Sequence, residues 1–151
     1  MMTLYELLVV IHVFSAILGM GPGFVMIYIV SKARTMTELR QAHAIRNHLH
    51  HVVMIGGILL FVTGLWMGML HPYLFDQGWY VTSLILYLVA LGLGPVMLSP
   101  RAKPVKMLLN EHQSDDIPPD YYLLSKRLFF YERLENILFL IIIVLMVLKP
   151  F

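Results

Sequence analysis

Four apolar runs alternate with polar segments along the chain, at about residues 7–30, 51–70, 79–99 and 129–148. A run of about 20 apolar residues is long enough to cross a bilayer as an α-helix. The pattern therefore predicts an all-α protein, an antiparallel four-helix transmembrane bundle. The whole chain of 151 residues would form one integral membrane domain.

The composition agrees with that class and excludes others. Hydrophobic residues make up 59% of the chain and charged residues only 13%, which is typical of a membrane protein. The chain has no cysteine, so disulfides and thiolate metal sites are excluded. A formal charge of +2 gives no reason to expect binding to nucleic acid.

The basic residues predict the orientation. Ten of the eleven Lys and Arg residues fall in the connections between spans 1 and 2 and between spans 3 and 4. They are Lys32, Arg34, Arg40, Arg46, Arg101, Lys103, Lys106, Lys126, Arg127 and Arg133. The positive-inside rule places these connections in the cytoplasm and both termini outside. We expect a multi-pass protein of the plasma membrane.

Glycines indicate where helices come close together. Gly57, Gly64 and Gly68 share one face of the second span, and the last two form a G-x-x-x-G motif. This face predicts a tight contact within the bundle or in a homodimer. In the first span, Pro22 within a Gly-rich stretch predicts a kink near Leu18.

His12 is the only histidine within a span, and an ionisable side chain there is a functional candidate. Two interpretations are open. The imidazole is either a ligand for haem iron through one ring nitrogen, or a neutral structural group hydrogen-bonded to a neighbouring helix.

A second polar group is predicted at the cytoplasmic side, where Arg46, His48, His51 and Glu135 stand near the ends of spans 2 and 4. Internal pairing of these charges is one interpretation. The other is a site for a proton, a metal ion or a small solute. No catalytic constellation can be argued from the sequence, so enzymatic activity is left open.

Several short motifs occur together: Ile11-His12-Val13-Phe14, Gly56-Gly57, Thr63-Gly64-Leu65-Trp66, Gly78-Trp79 and the closing Lys149-Pro150-Phe151. In this the chain resembles an uncharacterised family of bacterial predicted integral membrane proteins. More distantly it is similar to HemJ-type protoporphyrinogen oxidases and copper-resistance D-like membrane proteins. The HemJ resemblance implies b-type haem at His12, used for haem handling or electron transfer. The alternative function is a non-enzymatic transport or assembly component with a polar site around Glu135.

Overall fold

The structure is a computed structural model that describes residues 1–151 and contains helices and no strand. The helices are α1 (Leu4–Ser31), α2 (Met36–Leu70), α3 (Gly78–Leu93), α4 (Ser99–Glu111) and α5 (Pro119–Leu148). A short 3₁₀ helix, Pro72–Asp76, connects α2 to α3. A π-helical turn, Gly94–Leu98, joins α3 to α4, so that these two form one rod. The predicted all-α bundle of four antiparallel rods is confirmed.

Three rods are long and apolar enough to cross a membrane: Leu4–Ser31, Met36–Leu70 and Gly78–Glu111. The fourth rod, α5, carries Glu132, Arg133 and Glu135 at the start of its apolar stretch, which leaves a shorter uncharged length. Its crossing of the membrane stays a prediction.

Two helical segments are much longer than the apolar runs from which they were predicted. Thr35 is the N-cap of α2: its backbone is extended, and its side chain accepts a hydrogen bond from the Glu38 N–H. The helix α2 therefore begins at Met36 rather than near residue 51. The third rod continues to Glu111 because the wide π-helical turn accommodates Pro95, which cannot donate a helical hydrogen bond.

The bundle has two ends. The terminal half holds the start of α1, the α2–α3 connection and the end of α5, and the loop half holds the connections 32–35 and 112–118. At the terminal end the Trp79 N–H donates to the carbonyl of Phe151 at 2.8 Å. The ring of Phe151 lies over Gly78, where a larger residue would displace it.

The helix α1 runs without interruption through Pro22 and packs along α2. The closest approach is backbone against backbone, between Gly19 and the pair Gly56 and Gly57. A Cβ at Gly19 would lie 2.8 Å from the Gly57 nitrogen. Glycine is therefore required on both helices at this crossing.

The predicted glycine face of α2 is used within the single chain. A Cβ at Gly57 would stand 3.1 Å from the Tyr87 hydroxyl oxygen, and one at Gly64 would stand 3.1 Å from His12 Cε1. At Gly68 an added Cβ would meet Tyr80 and Phe75. The face thus admits side chains of α1, of α3 and of the 3₁₀ helix, in addition to the backbone contact between Gly57 and Gly19.

Candidate functional site: a pocket in the terminal half

A pocket of about 430 Å³ lies between α1, α2, α3 and α5 in the terminal half, and we call it the terminal pocket. Eighteen residues line it, and fourteen of them are hydrophobic. The polar atoms in its wall come from His12, Ser83, Tyr80 and Tyr87. Sites for small molecules commonly combine such apolar walls with a few polar groups.

The two tyrosine hydroxyls are already used by the fold. Tyr80 donates to the carbonyl oxygen of Gly64 at 2.9 Å, and Tyr87 donates to that of Gly57 at 2.7 Å. Both bonds tie α3 to α2. Since each hydroxyl has one hydrogen, neither tyrosine has a proton left to donate to a ligand.

His12 is positioned by Thr63 of α2, whose hydroxyl oxygen lies 2.9 Å from His12 Nδ1. The Thr63 hydroxyl points its only hydrogen back into its own helix, 2.7 Å from the carbonyl oxygen of Leu59. Thr63 therefore accepts from His12, and the proton of the neutral imidazole is on Nδ1. Nε2 is then left with a free lone pair, and it makes no hydrogen bond within the chain.

The hydrogen bond between His12 and Thr63 is the one expected if His12 has a structural role, and it occupies only one of the two ring nitrogens. A metal-binding histidine has the same arrangement, because a partner at one nitrogen orients the other toward the metal. No cluster of three or more His, Asp or Glu side chains that could enclose a metal ion occurs in the chain.

Ser83 of α3 was not predicted as a site residue. It is 1% exposed, lines the terminal pocket, and its Oγ has no hydrogen-bond partner. A serine within an apolar helix gives no sequence signal of this kind, because its partner is normally a carbonyl of its own helix.

Of the residues that were predicted to form one polar cluster, only Arg46 has a polar side-chain partner in the structure. Arg46 forms an ion pair with Glu132, one turn before Glu135 on α5. Glu135 is half-buried and forms no hydrogen bond or ion pair. His48 and His51 are exposed and make no polar contact with Arg46 or Glu135.

A different histidine of the loop half is buried, His43, which was not among the predicted site residues. Its Nε2 lies 3.3 Å from the Tyr121 hydroxyl. It is 6% exposed, outside the predicted spans, and burial together with Arg46 and Lys106 lowers its pKa to about 4. Burial raises the pKa of Tyr121 to about 12. Both groups are therefore neutral at pH 7.

Four antiparallel helical rods, three of them long and apolar, with a pocket enclosed among them, define a small multi-pass integral membrane protein. A family model described as "Predicted integral membrane protein (DUF2269)" matches residues 6–150. The chain therefore belongs to this family. Neither a curated protein nor a solved structure matches it.

Proposed function

We propose that this membrane protein binds an apolar ligand in the terminal pocket, and that Nε2 of His12 is the atom that holds it. The observation that carries this proposal is the contact of His12 Nδ1 with Thr63, which leaves Nε2 without a partner in the chain. An unpaired acceptor costs free energy in an apolar surrounding, so a ligand that satisfies it gains affinity.

The cofactor that the resemblance implies is b-type haem, and the terminal pocket fits it in part. His12 offers a neutral ring nitrogen, Met20 and Met146 offer thioethers, and the walls are apolar. No Lys or Arg lines the pocket, so the two haem carboxylates have no cation to pair with there. The lining thus offers an axial nitrogen for the iron and apolar walls for the ring, and it offers nothing to the carboxylates.

Haem binding is tested by a visible spectrum of the protein purified from haem-sufficient cells. If His12 is the ligand, the wild type shows a Soret band and His12→Ala loses it. His48→Ala and His71→Ala are matched controls, because His48 is exposed and His71 packs against Tyr5 outside the pocket. A colourless wild type that does not take up added hemin would remove haem from the proposal.

A second function is favoured by one observation, the half-buried carboxyl of Glu135 that has no partner. A carboxyl group in that state suits a proton or cation site of a non-enzymatic transport or assembly component. Glu135→Gln would then alter proton or solute flux in proteoliposomes, whereas flux equal to the wild type would eliminate this role.

We also propose that the protein lies in the plasma membrane with the loop half in the cytoplasm. The support is the clustering of basic residues toward the loop half, with Lys149 alone at the terminal end. Single cysteines at Ser114 and Phe151, introduced into the cysteine-free chain, test this orientation. In intact cells an impermeant thiol reagent should label position 151 and spare position 114.

A further inference from the structure

We infer that the terminal pocket binds an uncharged, lipid-soluble molecule that carries a hydroxyl group, held between His12 Nε2 and Ser83 Oγ. This inference rests on the proposed ligand-binding role of the pocket. It does not depend on haem and names a different occupant.

The first step is the state of the Ser83 hydroxyl. Three other serines in the helices donate to carbonyl oxygens of their own helix: Ser15 to Ile11 at 2.7 Å, Ser31 to Tyr28 at 2.8 Å, and Ser125 to Tyr122 at 3.3 Å. This bond is the usual way in which a serine is satisfied in an apolar helix. Ser83 lacks it although its residue is more deeply buried than Ser125. Its hydroxyl therefore keeps unused hydrogen-bonding capacity beside the terminal pocket.

The second step is complementarity between the two free groups. His12 Nε2 accepts and cannot donate, whereas a serine hydroxyl can do both. A hydroxyl on the ligand would donate to His12 and accept from Ser83. A ketone or an ether would leave His12 unpaired, because neither has a proton to give.

The third step is charge. None of the eighteen lining residues is Lys, Arg, Asp or Glu. A carboxylate or an ammonium group would be buried there without a counterion, which is strongly unfavourable. The pocket therefore selects a neutral ligand.

The fourth step is the direction from which the ligand arrives. On the side of α2 and α3, Leu60, Tyr80 and Tyr87 are buried, all less than 9% exposed. On the other side, Val13 and Ile17 of α1 and Val147 of α5 are 52%, 60% and 72% exposed. The terminal pocket is thus open between α1 and α5, on an apolar flank of the bundle that would face the acyl chains. A ligand that enters this way must dissolve in the bilayer.

The test compares 4-octylphenol, which has a hydroxyl proton to donate, with its methyl ether 4-octylanisole, which has none. Binding to the wild-type protein in lipid nanodiscs is measured by calorimetry. We expect the phenol to bind about three- to tenfold more tightly, the value of one neutral hydrogen bond. On phenol binding, the ¹⁵N resonance of His12 Nε2 should move in the direction of a hydrogen-bonded nitrogen.

Two variants separate the two contacts. His12→Leu should abolish the preference for the phenol, because only the phenol can donate to His12. Ser83→Ala should weaken both probes about threefold or more, because both have an oxygen that accepts from Ser83. Ser15→Ala is the matched control and should change neither, since Ser15 is bonded to Ile11 and does not line the pocket.

Equal affinity of the wild type for the two probes, or unchanged phenol binding in Ser83→Ala, would overturn the inference. If neither probe binds but hemin does, this inference fails and the proposed function stands. If neither the probes nor hemin bind, the proposed function fails with it.

Discussion

The two halves of the bundle use their buried polar groups differently. In the loop half, Arg46 is paired with Glu132 and His43 with Tyr121, in both cases between α2 and α5, although Arg46 Nε and Glu132 Oε2 have no further partner. In the terminal half, His12 uses one of its two ring nitrogens and Ser83 uses none of its capacity.

This difference indicates that the buried polar groups of the two halves have different roles. A polar group that is fully paired within the fold contributes to stability and specificity of packing. A polar group left unpaired beside a cavity lowers stability unless a ligand completes it. We therefore expect substitutions of the paired groups of the loop half to change stability, and substitutions of His12 and Ser83 in the terminal half to change binding.

The largest effect is expected at the ion pair. Arg46→Met would leave Glu132 buried and unpaired, and breaking such a pair typically costs about 3–5 kcal/mol. We expect a large fall in the thermal midpoint in detergent. The exposed Arg133→Met is the control and should have little effect.

The double variant Arg46→Met/Glu132→Leu distinguishes a paired charge from lost packing. It replaces both charges with apolar groups, so most of the stability should return. A single variant as stable as the wild type would show that the pair is not a structural element of the loop half.

The next effect concerns pH and His43. Its pKa falls from an ordinary 6.5 to about 4 in the folded protein, so between these values the unfolded chain binds more protons than the native one. Stability is therefore complete above pH 6.5 and is lost as the pH falls toward 4, by about 3 kcal/mol from this group.

Thermal midpoints measured between pH 7 and pH 4.5 check this dependence. In His43→Gln the slope should become shallower, because the titrating group is gone. His48→Gln should keep the wild-type slope, since His48 is exposed. An identical slope in His43→Gln would assign the acid sensitivity to other groups.

Much of the fold follows from the sequence, because an apolar run of about 20 residues has few alternatives to a membrane helix. His12 could be found for a similar reason, since an ionisable residue within such a run stands out. Its partner Thr63 could not, because the two lie 51 residues apart and an isolated threonine carries no signal. The choice of Glu132 rather than Glu135 for Arg46 depends on the rotation of α5, which apolar runs do not determine.

A smaller effect is expected where α1 crosses α2. Gly56→Ala would place a methyl group against the Gly19 backbone, and neither backbone can move aside easily. Overpacking of this kind costs about 1–3 kcal/mol. In Gly21→Ala the new methyl meets nothing within 4 Å, and helix propensity predicts a gain of up to about 1 kcal/mol. Equal thermal midpoints for the two variants would contradict the close crossing.

The smallest effect on stability is expected from Ser83→Ala without ligand. A buried hydroxyl with no partner gives up its interactions with water and gains nothing in return, so its removal should leave the thermal midpoint unchanged or raise it slightly. Ser15→Ala is the matched case, since Ser15 is as deeply buried but donates to Ile11, and it should lower stability by about 1 kcal/mol. The two alanine variants should thus differ in sign although both remove a buried serine hydroxyl. If Ser83→Ala destabilises the protein as much as Ser15→Ala does, the Ser83 hydroxyl has a structural partner, and the terminal half pairs its polar groups just as the loop half does.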